Sequence, residues 1–160
     1  SATIRILHYP PYSGEIKKDQ MRINEHTDYG SITLLWRFDD VPGLQVFDRG
    51  KEEWMDVPVV ENSIVLNVGD MLQRWTNDLL KSTPHRVINT EMTRSRYSMP
   101  YFVDPGRDVI IDNLTDQTDK YPPISANDYL KWRLAQSYTD NNYIENEDVA
   151  DEGAKHITNY

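Results

Sequence analysis

Between residues 3 and 111 the chain breaks into short runs rich in Ile, Val, Leu, Thr, Tyr and Trp, separated by clusters of Gly, Pro, Asn and Asp. Runs of that length with β-branched and aromatic residues predict strands rather than helices. The clearest are TIRILHY, SITLLWR, LQVFD, EWMDV, SIVLNV, HRVINT, RYSMPYFV and DVII. VFDRGKEEWMDV predicts a hairpin, with turn chemistry over Asp48 to Lys51 and Gly50 as the residue free to take positive φ. About eight strands with no helices between them point to an all-β sandwich or jelly roll, not to an α/β sheet. Residues 112–123 read as a loop ending in Pro122-Pro123. A helix over residues 125–138 follows, opened by a capping box from Ser125 to Asp128 and carrying Leu130, Leu134 and Tyr138 on one stripe.

At 160 residues the chain forms one domain with enough buried surface to fold without cross-links. It has no cysteine, which excludes disulfides, zinc-thiolate sites and iron–sulfur clusters and is compatible with a cytoplasmic, reducing environment. Any metal must use nitrogen and oxygen ligands. A net charge of −9 argues against nucleic acid as a partner, because phosphate binding needs clustered Lys and Arg. Residues 139–160 hold six acidic residues against a single lysine and are expected to form an acidic, flexible tail. No apolar run is long enough to span a membrane, so no membrane partner is expected.

The first candidate chemistry lies in NEHTDYGSITLLW, residues 24–36. In extended chain His26 and Asp28 point to the same side, about 6 to 7 Å apart along the backbone, and can share an ion. Alone, such a pair is met by chance in many proteins. His85 opens HRVINT and is the natural third ligand, whereas His8 shares its strand with the oppositely directed Tyr9 and His156 sits in the acidic tail. Two histidines and an aspartate form the facial triad of non-haem Fe(II) oxygenases, although the same set could hold a catalytic zinc. Further on, Arg96, Ser98, Pro100 and Phe102 alternate along one strand face, where a guanidinium and a hydroxyl two residues on can grip a carboxylate.

With these motifs in place, the sequence resembles the 2-oxoglutarate and Fe(II)-dependent oxygenases of the isopenicillin N synthase-like group. HTD at 26–28, HRV at 85–87 and RYS at 96–98 stand in that family's order, 57 residues from Asp28 to His85 and 11 from His85 to Arg96. YGSITLLW, VPGLQV, VLNVGDMLQRWTN and KSTPHRV resemble the segments between them, and YLKWRLAQSY resembles a late helix. The resemblance implies a double-stranded β-helix, a jelly-roll barrel, with Fe(II) on His26, Asp28 and His85. It further implies 2-oxoglutarate held by Arg96 and Ser98 with help from Tyr9 of LHYPPY, and a small-molecule substrate touching Phe102. The implied reaction hydroxylates or desaturates that substrate with O2, releasing succinate and CO2. Alternatives within the same resemblance are an Fe(II) oxidase that uses no 2-oxoglutarate and a catalytically idle binding domain. Asn67, Gly69 and Asp70 are read as a turn supporting the site, and Arg86 as a structural partner. Members of the family are longer, with an amino-terminal half packed on the barrel, so the chain is read as a carboxy-terminal catalytic domain.

Overall fold

The structure is a computed structural model that describes residues 2–17, 20–90 and 92–137. Its strands are β1 (Ala2–Ile4), β2 (Leu7–Tyr9), β3 (Ile23–His26), β4 (Ile32–Arg37), β5 (Leu44–Asp48), β6 (Glu53–Asp56), β7 (Ile64–Val68), β8 (His85–Val87), β9 (Arg96–Val103), β10 (Ile110–Ile111) and β11 (Ile124–Ser125). Two helices join them, α1 (Asp70–Trp75) and α2 (Ala126–Ser137).

Two antiparallel sheets form the body of the fold. In one, β1 and β2 pair along β9, which pairs β4, which pairs β7; in the other the order is β3-β8-β5-β6. From β3 onward the chain crosses repeatedly between the sheets, giving the jelly-roll double-stranded β-helix expected from sequence. The first run is divided by chemistry: Arg5 lies opposite Pro100, which has no N–H to give the ladder, so only the bond from the Arg5 N–H to the Pro100 carbonyl (3.1 Å) survives between β1 and β2.

Four features differ from the sequence reading. β3 escapes the hydrophobic pattern because Ile23 is its only apolar residue, and it is held by pairing with β8. The segment expected to turn after β7 instead forms α1, with Asn67 inside β7, Gly69 at the helix N-cap and Asp70 as its first residue. In the β5–β6 hairpin, Asp48 accepts the Gly50 and Lys51 N–H groups (2.8 and 3.2 Å), but Glu52 rather than Gly50 takes positive φ (56°). The Ser125 cap is present, its hydroxyl accepting the Asp128 N–H (3.1 Å) and donating to the Asp128 carboxylate (2.7 Å), yet the predicted stripe is not the buried one. Leu134 is 45% exposed, and α2 packs through Ala126 and Tyr129, with Leu130 half-buried and Arg133 next on that face. Tyr138, the acidic tail and His156 lie outside the described residues.

The main apolar cluster is Met71, Ile111, Ala126 and Tyr129, with Trp75, Ile124, Leu130 and Trp132 packed around it. It joins α1, the β10–β11 pair and α2, outside the two sheets. Within the sheets the most buried side chains are largely polar, among them Thr33, His85, Arg96 and Ser98. Alternate residues on the other face of the larger sheet are apolar and open, Ile4 and Leu66 at 58% and Ile64 at 47%. Among the described residues no helix is long and apolar enough to cross a membrane.

Candidate metal centre and carboxylate clamp

β3 ends on His26 and β8 begins on His85, and a register shift between Ile23 and His26 sets the two histidines directly opposite each other. Without that bulge His26 would face Pro84; with it the rings lie 4.2 Å apart between centroids. Asp28 follows in the turn leading to β4, buried, with one carboxylate oxygen 3.7 Å from His85 Nε2. One donor atom from each of the three residues lies within 4.8 Å of the others.

The backbone fixes how these groups present themselves. His26 Nδ1 lies 2.8 Å from the Asn24 carbonyl and His85 Nδ1 lies 3.1 Å from the Thr83 carbonyl. A carbonyl only accepts, so each Nδ1 carries the proton and each Nε2 offers a lone pair. Burial holds the His26 pKa below its ordinary value; the Asn24 bond opposes this and the neighbouring His85 adds to it, so the imidazole stays neutral, as a metal ligand must be. Asp28 Oδ2 is buried with no hydrogen-bond partner. An unpaired buried acceptor of this kind costs about 1–3 kcal/mol or more, and a cation would satisfy it. Two imidazole nitrogens and a carboxylate with one unpartnered oxygen fit a divalent cation with nitrogen and oxygen preference.

The turn carrying Asp28 is pressed against α1. The N–H groups of Gly69 and Asp70 donate to the carbonyls of Ser31 and Asp28, both at 2.8 Å. A Cβ on Gly69 would fall 2.1 Å from the Gly30 oxygen and 3.0 Å from the Asp28 oxygen, so glycine is required there by contact rather than by φ.

On the other sheet, Arg96 and Ser98 are each 2% exposed on one face of β9. Tyr9 pairs with Arg96 across the β2–β9 ladder, and the guanidinium lies 4.8 Å from its ring centroid. Arg96 Nε and Nη1 are buried without hydrogen-bond partners. A buried guanidinium with unpartnered donors has the chemistry to take a carboxylate. Opposite Ser98 on β4 stands Arg37, which donates to the Val57 carbonyl at 3.1 Å and to that of Pro58; burial first, then Arg96, lowers its pKa. Pro100 and Phe102 continue the Arg96 face, Phe102 pairing with Thr33 of β4.

A sequence profile described as the 2OG-Fe(II) oxygenase superfamily matches residues 1–105. The chain belongs to that superfamily. Among similar proteins, the 2-oxoglutarate-Fe(II) type oxidoreductase hxnY of Emericella nidulans is 42% identical over 143 residues, covering 86% of this chain and 40% of that protein. The 1-aminocyclopropane-1-carboxylate oxidase 3 of Arabidopsis thaliana is 38% identical over 131 residues, covering 79% of this chain and 39% of that protein. Among solved structures, a full-length Neurospora crassa protein in complex with alpha-KG and thymine superposes with a TM-score of 0.78 at 40% identity, covering 86% of this chain and 44% of that one. This oxygenase chain therefore spans less than half the length of these relatives.

Among the described residues, His8, Arg86 and Arg94 also have partners in this fold. His8 faces outward, its Nε2 3.0 Å from the Ser95 hydroxyl and its ring stacked on Tyr97 at 4.5 Å. Arg86 donates to Gln45 (2.8 Å) and lies 4.0 Å over Trp54, while Arg94 pairs with Asp40 at the surface (2.7 Å). Sequence reasoning missed Thr27 and Arg133. Thr27 stands between two candidate ligands and donates to Asp70 (2.9 Å), and Arg133 reaches both from α2. Only the position of Thr27 inside HTD offered a signal.

Proposed function

We propose that this oxygenase domain binds Fe(II) through His26, Asp28 and His85 and 2-oxoglutarate through Arg96, Ser98 and Tyr9. It would use O2 to hydroxylate or desaturate a small organic substrate, releasing succinate and CO2. One observation carries this reading: two buried groups of opposite sign lack partners, a carboxylate oxygen at the metal turn and guanidinium nitrogens on β9. A cation completes the first and a carboxylate the second. A bound iron supplies the Lewis acidity and the redox chemistry toward O2.

The protein's own part is placement. The Asn24 and Thr83 carbonyls hold the imidazoles in the metal-binding tautomer, and the Asp28 carboxylate balances part of the ion's charge. Tyr9 lies against the Arg96 guanidinium, which with the Ser98 hydroxyl takes the distal carboxylate, so the cosubstrate is oriented end to end. Phe102, further along the same face, borders the substrate. A small-molecule substrate is in keeping with the thymine in the Neurospora crassa structure. A second reading, an Fe(II) oxidase whose own substrate supplies the carboxylate at Arg96, is favoured by the oxidase among the relatives, whose name specifies a carboxylate substrate.

The test is an anaerobic titration of the Fe(II)-loaded chain with 2-oxoglutarate, watching for the visible charge-transfer band of bidentate chelation, followed by O2 and measurement of succinate. A saturable band with succinate release supports the first reading. Iron binding with neither band nor succinate favours the second, and absence of iron binding removes both.

A further inference from the structure

We infer that Arg133, on the last described helix, is a positioning residue of the metal centre, holding the turn that carries Asp28 through a network with Asp70 and Thr27. This rests on the reading of His26, Asp28 and His85 as metal ligands. Thr27 lies between the first two of them, and its hydroxyl donates to the Asp70 carboxylate at 2.9 Å. The Asp70 N–H donates to the Asp28 carbonyl at 2.8 Å, so one residue holds Thr27 by its side chain and Asp28 by its backbone. Arg133 Nη2 donates to the same Asp70 carboxylate and to the Thr27 hydroxyl (3.3 Å). Its guanidinium lies 4.6 Å over the Tyr29 ring, and the Tyr29 hydroxyl bonds Ser137 one turn along α2. Both neighbours of Asp28, residues 27 and 29, are therefore held by one helix.

Docking of α2 is secured elsewhere. Its apolar anchors are Ala126 and Tyr129, packed on Met71 and Ile111, one to two turns before Arg133. The ion pair to Asp70 is sheltered, with side chains 22% and 16% exposed, where such a bond outweighs a surface pair. Thr27, Asp70 and Arg133 also border a cavity of about 420 Å³. Groups that orient metal ligands in this way typically change metal affinity by about 10- to 100-fold when lost.

The experiment uses the 160-residue chain with Co(II) as a spectroscopic probe, measuring its dissociation constant and d–d absorption, alongside thermal unfolding of the metal-free protein. Arg133→Gln should raise the dissociation constant at least about tenfold and alter the absorption, with Arg133→Lys recovering part of the loss. Adding Asp70→Asn to Arg133→Gln should cost little more than either change alone, as expected of one network. Thr27→Val removes the hydroxyl while leaving the ion pair, and should weaken Co(II) binding even if Arg133→Gln fails to fold. Lys120→Gln breaks a partly exposed ion pair to Asp78 (2.9 Å) outside this network and should leave the dissociation constant unmoved. Unchanged Co(II) affinity and spectrum in folded Arg133→Gln and Thr27→Val would make the network a strut for α2 and overturn the inference alone. No Co(II) binding by the wild-type chain would overturn the metal reading with it.

Discussion

Replacing Arg96 with methionine separates a carboxylate receptor from a structural arginine, because the two roles predict opposite pairs of results. In the ligand-free protein Arg96 is 2% exposed, and its Nε and Nη1 donors are unpaired. Leaving buried donors unsatisfied costs about 1–3 kcal/mol, partly offset by about 1–2 kcal/mol from the sheltered contact with the Tyr9 ring 4.8 Å away. Methionine has similar length, no donors and a good aromatic contact. Arg96→Met should therefore leave metal-free stability within about 1 kcal/mol of wild type. Binding should behave otherwise. Two charge-assisted hydrogen bonds to a carboxylate are worth about 3–4 kcal/mol together, so the Kd for 2-oxoglutarate should rise on the order of 10²- to 10³-fold. Calorimetric titration of the metal-loaded protein measures the second quantity and urea unfolding the first, with metal affinity as an internal control expected to hold. Loss of several kcal/mol of stability with unchanged 2-oxoglutarate affinity would refute the assignment of the clamp.

Two further predictions concern the turn around Asp28. Gly69→Ala should destabilise the fold by about 1–3 kcal/mol or more and weaken metal binding with it, since its Cβ would meet the backbone of Gly30 and Asp28 rather than a movable side chain; unfolding and metal titration of one preparation test both. Asp104, whose carboxylate accepts the Ser31 N–H at 3.3 Å, has its pKa raised from 3.8 mainly by burial. Its contribution to stability is thus greatest below pH 3.8 and is lost as pH rises through the folded-state value. Asp104→Asn should raise the thermal midpoint at pH 7 and converge on wild type as pH falls toward 4, and a constant difference across that range would contradict the burial effect.

The chemistry of the site was more legible than its support. His26, Asp28, His85, Arg96 and Ser98 could be chosen because HTD, HRV and RYS stand in an order and spacing that resemble a known family, and the structure brings the first three together and buries the last two. Order and alternation of most strands were legible from their β-branched and aromatic runs. β3 was hidden because its polar residues are held by pairing with β8, not by an apolar face of its own. The bulge that sets His26 opposite His85 is a property of register between distant segments, which no local pattern records. Arg133 was not singled out, because nothing local to the helix marks it. Its partner Asp70 lies 63 residues away, and the helix stripe that was read placed Leu134 inward instead.

The apolar cluster of Met71, Ile111, Ala126 and Tyr129 lies outside the pair of sheets that carry the candidate ligands and clamp. Exchanging Phe102, which is only half-buried on β9, therefore opens no hole in that cluster. On the proposed reading, in which Phe102 borders the substrate, selectivity and the integrity of that cluster become nearly separate traits. A chassis so divided can diversify its chemistry over evolutionary time, or under laboratory selection, without each gain eroding the fold that carries it.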